Sequence, residues 1–188
     1  MTHKKFKHNF VLKTELKTET ISGQRFYVLP DGLTKLKSVT SIISEKTDKT
    51  ALMEWRKKVG EAEANRISKQ ATIRGTAVHS IAEKYVLNEE NYYENQNIFN
   101  IESFKPIKTI LDQSVDNILG IELPVWSKAL KCAGRTDLVA TFDGVTSIID
   151  FKTSKKLKKE EWIENYLDRK STRLNSSHMS ESRMPSSA

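Results

Sequence analysis

Apolar positions along the chain recur at helical spacing in its first part and at strand spacing after Gly120. The run QRFYVL, 24–29, is rich in β-formers and meets the turn signal Pro30-Asp31-Gly32, which predicts a small hairpin. Ser38 or Thr40 can cap a short helix through Val39, Ile42 and Ile43. A second helix is expected over 50–59, with Leu52, Trp55 and Val59 on one face. Gly60 then separates it from a helix over 62–71. Gly75 opens a stronger segment, TAVHSIAEKYVL, in which Ala77, Ile81 and Tyr85 recur at helical spacing.

Residues 88–100 contain five Asn with Tyr92, Tyr93 and Phe99 interspersed, and read as a surface loop whose aromatics could touch bases. A helix over 103–119 follows, with Pro106 in its first turn. Next come three strands, ELPVWS, KCAGRTDLVATF and VTSIIDFKT, with Asp143-Gly144 as a hairpin signal between the last two. A helix over 158–167 carries Trp162, Ile163 and Tyr166. Helices, three strands, then a helix point to an α/β or α+β domain with a central sheet.

Composition sharpens this picture only a little. Of the 188 residues, 37% are apolar, enough for a core, and seven Gly with four Pro exclude a fibrous chain. A net charge of +7 suits a polyanionic partner without specifying any chemistry. Cys132 is the only cysteine, so no internal disulfide and no four-cysteine cluster can form, and a reducing compartment is the natural reading. The basic start lacks the apolar run of a signal peptide, and no stretch approaches the ~18 apolar residues of a membrane helix. A soluble, intracellular, cytoplasmic protein is the expectation.

Composition shifts after Leu167. Residues 168–188 hold seven Ser among 21 residues and show no periodicity, which reads as disorder. Back-translated, DRKSTRLNSSH resembles a common sequencing-library adapter read in frame. The tail is therefore expected to be a non-native artefact, with the natural sequence interrupted at Leu167, and it is set aside for fold reasoning. Without it, residues 1–167 carry 27 basic and 22 acidic side chains, a net charge of +5. The expected organisation is a basic N-terminal segment over 1–23, a domain over 24–167 that is incomplete at its end, and the tail.

The candidate chemistry begins at Ile148-Ile149-Asp150-Phe151-Lys152-Thr153. On a strand, residues two apart share a face, so Asp150 and Lys152 would point one way, Ile149 and Phe151 the other. Taken alone, such a triplet reads as a strand-edge salt bridge on a solvated face. The other use of this pair is phosphodiester hydrolysis: a carboxylate holds a divalent cation that lowers the pKa of a bound water, and a lysine orients the water or stabilises phosphoryl charge. Asp137 lies 13 residues before Asp150, across the Asp143-Gly144 turn. In a hairpin, the two acids can share one face, where they repel unless protonated or bridged by a cation. Hard oxygen ligands suit Mg²⁺ or Mn²⁺. In GTAVHSIAEKY, His79 and Glu83 share a helix face. His79 is also the only histidine outside the basic start and the tail.

GTAVH, AGRTD and DFKTS, in that order and at these separations, resemble the RecB-like branch of the PD-(D/E)xK nuclease superfamily. Phage RecB-type exonucleases and the mitochondrial genome maintenance exonuclease family are similar. The resemblance also takes in YVLPDG with SVTSII, the EWRKKVG segment, and the strand containing Glu122 and Pro124. It implies an α/β, restriction-endonuclease-like core: a mixed central sheet flanked by helices, truncated here at the C-terminus. It further implies a phage-encoded, Mg²⁺- or Mn²⁺-dependent deoxyribonuclease, an exonuclease on single-stranded DNA or DNA ends, working in the host cytoplasm.

Carried over by residue, the resemblance makes Asp137 and Asp150 metal ligands and His79 a third ligand, or the residue that places one. The Phe151 carbonyl would complete the protein's share of the shell, and Lys152 would be the catalytic lysine. Glu83 and Tyr166 would support the site; Arg135, Thr153, Lys155 and Lys156 would contact DNA phosphates. The departures are Thr136 in place of a proline before Asp137, and a single cysteine, which excludes the iron–sulfur cluster of some relatives. In addition, the family's glutamine after the lysine would fall where the tail begins, so the resemblance implies an active natural enzyme and leaves the activity of this interrupted chain open. The alternatives are an endonuclease of the same fold or a catalytically silent nucleic-acid-binding module. Oligomeric state is left open.

Overall fold

The computed structural model describes residues 4–10 and 15–154. The expected helix over 158–167 and the tail lie outside them. Among the described residues the fold is α/β: seven strands in one mixed sheet, with four helices. In chain order these are β1 Lys7–His8, β2 Lys17–Ile21, β3 Gln24–Val28, β4 Lys35–Ser38, α1 Val39–Lys46, α2 Thr50–Val59, α3 Glu61–Val86, α4 Ile98–Ser114, β5 Val115–Ser127, β6 Cys132–Phe142 and β7 Val145–Ile149. The strand order is β1-β5-β6-β4-β3-β2, with β7 on β6. β1 on β5 and β4 on β6 run parallel; β2–β3, β3–β4 and β6–β7 run antiparallel. Among the described residues, no helix is long and apolar enough to cross a membrane.

Two compact units divide the described residues: 4–10, 74–121 and 137–154 form the first, 15–73 and 122–136 the second. In the first, α3 buries Val78, Ile81, Ala82, Tyr85 and Val86. This i, i+3, i+4, i+7, i+8 stripe lays a helix on a core, and each large member contributes about 1.5–3 kcal/mol of burial. Ile81 and Tyr85 of the expected stripe are fully buried, whereas Ala77 is half-buried and Val78 is buried beside it. Phe104 and Leu111 of α4, Ile118 of β5, Leu138 and Ala140 of β6, and Phe151 complete the cluster. In the second unit, Leu16, Tyr27, Leu29, Leu36 and Ala133 form a smaller core.

The expected hairpin after Gln24 is present as β3–β4, with Phe26 opposite Lys37. Its Pro30-Asp31-Gly32 turn is held by Asp31, whose Oδ1 accepts the Leu33 and Thr34 N–H groups at 3.0 and 2.8 Å. Hydrogen bonds from Thr34, then Leu33, and lastly the Lys128 charge pull the Asp31 carboxyl down to about 2. β1 and β2 are additions that the pattern did not announce: their two and five residues, KH and KTETI, carry no apolar alternation.

Three expectations about helices change. The break at Gly75 is absent; α3 runs through it for 26 residues. A mid-helix glycine costs only about 1 kcal/mol against alanine, which the long buried stripe after it offsets. The helix expected over 103–119 begins instead at Ile98, where the Asn97 side chain caps the Asn100 N–H. The loop read over 88–100 is shortened accordingly, and Pro106 sits inside the helix rather than in its first turn. That helix ends at Ser114, because Val115 and Ile118 are fully buried as strand residues in β5.

β6 and β7 are joined by Asp143 and Gly144 at φ 46° and 80°, both left-handed, as a type I′ turn requires. The ladder pairs Phe142 with Val145 and ends with Leu138 opposite Ile149. Asp150 and Lys152 were expected on the strand; they lie just beyond its last residue.

Candidate metal centre

On β6, Leu138, Ala140 and Phe142 are buried in the core, so the pleat turns Asp137 to the other face. One further step of the ladder would set Asp150 across from Asp137. The ladder stops instead, and Asp137 Oδ2 accepts the Phe151 N–H at 2.7 Å. A carboxylate here replaces a backbone acceptor, which keeps a part-buried N–H paired. Phe151 itself is 6% exposed and belongs to the core, which fixes the segment from the other side.

His79 reaches the same segment from α3. Its neighbours Val78 and Ile81 are fully buried, so the helix has no freedom to turn the imidazole away. Nε2 lies 2.6 Å from the Phe151 carbonyl oxygen, and Nδ1 lies 3.5 Å from Asp137 Oδ2. The rings of His79 and Phe151 meet edge to face at 5.9 Å. A carbonyl only accepts, so Nε2 carries the hydrogen in that bond. In the neutral ring, this leaves the Nδ1 lone pair towards the Asp137 carboxylate. Two electron-rich atoms at that distance repel unless a proton or cation lies between them.

Phe151 therefore spends both backbone groups on the site: its N–H on Asp137 and its C=O on His79. The carbonyl has two lone pairs: His79 takes one and the Lys152 ammonium approaches the other, so a cation bound at this oxygen would displace the lysine contact. Asp150 pairs with the Lys152 ammonium (Oδ2 to Nζ), and their side chains are 10% and 33% exposed. Lys152 Nζ also stands 3.3 Å from the Phe151 carbonyl. An ion pair this enclosed costs desolvation, and its charges are strengthened by the low local dielectric.

This donor set, one imidazole with carboxylate and carbonyl oxygens, fits a hard or borderline divalent cation. Neighbouring ligands of an octahedral Mg²⁺, each at 2.0–2.1 Å, stand about 3 Å apart. The 3.5 Å between His79 Nδ1 and Asp137 Oδ2 is close to that span.

Of the remaining candidates, Glu83 is half-buried on α3, one turn beyond His79. Thr153 is half-buried, with its Oγ1 close to Gly75: a Cβ on that glycine would meet it at 3.9 Å. Arg135 belongs to the other unit, is exposed, and bonds Glu122 Oε2 at 3.2 Å. Lys155, Lys156 and Tyr166 lie outside the described residues. The pattern of residues missed the Asp137 bond to the Phe151 N–H, because nothing in sequence shows where a ladder stops. No protein-family model and no curated protein matches the chain.

Proposed function

We propose that the chain is a Mg²⁺- or Mn²⁺-dependent deoxyribonuclease of the RecB-like PD-(D/E)xK type, acting in the cytoplasm on single-stranded DNA or DNA ends. The observation that carries this reading is the convergence of His79, Asp137 and both backbone groups of Phe151, beside the Asp150–Lys152 pair.

His79 and Asp137 would hold the cation, with Asp150 and the Phe151 carbonyl as further oxygen donors. Bound there, it would neutralise phosphate charge and lower the pKa of an attacking water. The protein's own residues prepare the rest. The Phe151 carbonyl selects the His79 tautomer, much as outer-sphere carbonyls orient metal-bound imidazoles. Asp137 anchors the segment carrying Asp150 and Lys152. The Lys152 ammonium, paired with Asp150, would donate hydrogen bonds to phosphoryl oxygens as negative charge develops on them. No covalent intermediate on the enzyme is required.

Labelled single- and double-stranded DNA, incubated with the protein in Mg²⁺, Mn²⁺ or excess EDTA, tests the reading. Cleavage in either metal that disappears in EDTA and in Asp150→Ala is the expected result. Cleavage that survives EDTA contradicts the metal mechanism. DNA bound but never cut would favour a silent binding module of the same fold.

A further inference from the structure

In the unit formed by residues 15–73 and 122–136, β5 ends at Ser127 and β6 starts at Cys132. The turn between them is ordered by its own bonds: the Ser127 hydroxyl oxygen accepts the Leu130 N–H at 3.1 Å, and the Lys128 carbonyl accepts the Lys131 N–H at 3.3 Å. Lys131 takes the left-handed conformation at φ 52°. The turn and the strand end beside it present three large apolar side chains to solvent: Val125, Trp126 and Leu130, at 40%, 37% and 64% exposure. Lys128 and Lys131, in the same turn, are both exposed.

This surface is basic as well as apolar. From 123 to 136 the chain contains Lys128, Lys131 and Arg135 and no acid; Arg135 is paired with Glu122, which leaves the basic character to the two lysines. Asp31, which feels the Lys128 charge, already accepts hydrogen bonds from Leu33 and Thr34. Cores of protein–protein interfaces are depleted in lysine, so an exposed indole followed within five residues by two exposed lysines is a poor match to them. A single-stranded nucleic acid matches both features. Bases stack on an aromatic face whatever their sequence, and the phosphates between them take the ammonium groups.

We propose that this turn binds single-stranded DNA, with Trp126 stacking on a base and Lys128 and Lys131 contacting flanking phosphates. The choice of DNA rests on the nuclease reading; the stacking surface does not.

Fluorescence anisotropy of a labelled oligothymidylate, titrated with the full chain in EDTA, tests the turn without hydrolysis. Trp126→Ala is expected to weaken binding by about 5- to 150-fold, the range for losing one stacked base, while Trp126→Phe retains most of the affinity. The double variant Lys128→Ala/Lys131→Ala should flatten the salt dependence by about 1.4 in log–log slope, two single-strand phosphates' worth. Parent-like binding by both Trp126→Ala and the lysine pair overturns the proposal. So does the absence of binding by the parent, or tighter binding to oligouridylate or to phosphatidylserine vesicles. The two readings fail separately. Trp126-dependent binding without Mg²⁺-dependent cleavage sinks the nuclease and leaves the turn; cleavage with binding indifferent to these residues does the reverse.

Discussion

Asp137 on β6 accepts the Phe151 N–H at 2.7 Å, and through that bond the carboxylate fastens the segment that carries Asp150 and Lys152. The same oxygen lies 3.5 Å from His79 Nδ1. One carboxylate therefore has a structural duty and a proposed chemical one, and substitutions can separate them.

Asp137→Ala leaves a part-buried N–H without its acceptor and is expected to lower stability by about 1–3 kcal/mol. Asp137→Asn keeps an acceptor oxygen and should lose less than half as much, yet still abolish metal-dependent cleavage. Urea denaturation of the two variants beside a cleavage assay checks the split. Equal destabilisation by both would show that the bond to Phe151 carries little weight.

The His79 imidazole holds its place through the Phe151 carbonyl and faces Asp137. His79→Ala should weaken Mn²⁺ binding by at least about 10- to 100-fold, the loss seen when even an orienting partner of a ligand is removed. Isothermal titration with MnCl₂ reads this directly. Unchanged affinity would place the ion elsewhere.

Tyr85 sits at the centre of the first unit, its hydroxyl bonded to Asp112 Oδ1 and its ring under Lys108 Nζ at 5.0 Å. Burial first, and the Asp112 carboxylate second, push its phenol from the ordinary 10.0 up to about 12. The folded state thus keeps the proton that the unfolded chain gives up earlier. Stability should be intact below about pH 10 and fall as pH rises through about 12. Tyr85→Phe should remove this decline. Alkaline unfolding curves for parent and variant, with the tyrosinate absorbance followed alongside, measure it; a decline of the same size in both would contradict it.

Two glycines should respond to alanine in opposite directions. Gly75 lies inside α3, where an added Cβ meets Thr153 Oγ1 at an ordinary 3.9 Å. Gly75→Ala is therefore expected to stabilise by about 0.5–1 kcal/mol. Gly144 has φ 80° in the β6–β7 turn, and there alanine should cost about 1–2 kcal/mol in left-handed strain. Thermal denaturation distinguishes the signs. A destabilising Gly75→Ala would mean that Thr153 has no room to accommodate the methyl group.

The sequence announces some of these features better than others. The β6–β7 hairpin was legible because Asp143-Gly144 demands two left-handed residues and the flanks are strand-like. α2 was legible over its full length, 50–59, because Gly60 stops it. The start of α4 was not: its cap is Asn97, one Asn among five in a polar stretch, and only the structure shows which one turns its side chain to the Asn100 N–H. β2 was hidden because KTETI is exposed at every position, so no alternation marks it. At the site, the residue types could be read in order along the chain. The contact of His79 with a carbonyl 72 residues away could not, since backbone oxygens leave no signature in sequence.

The central claim is that one divalent cation sits between His79 and Asp137. Crystals soaked in MnCl₂ and measured for anomalous scattering test it most directly. A single strong peak at ligand distance from His79 Nδ1 and an Asp137 carboxylate oxygen is the predicted result. A peak away from both residues, or none there at saturating Mn²⁺, would contradict it.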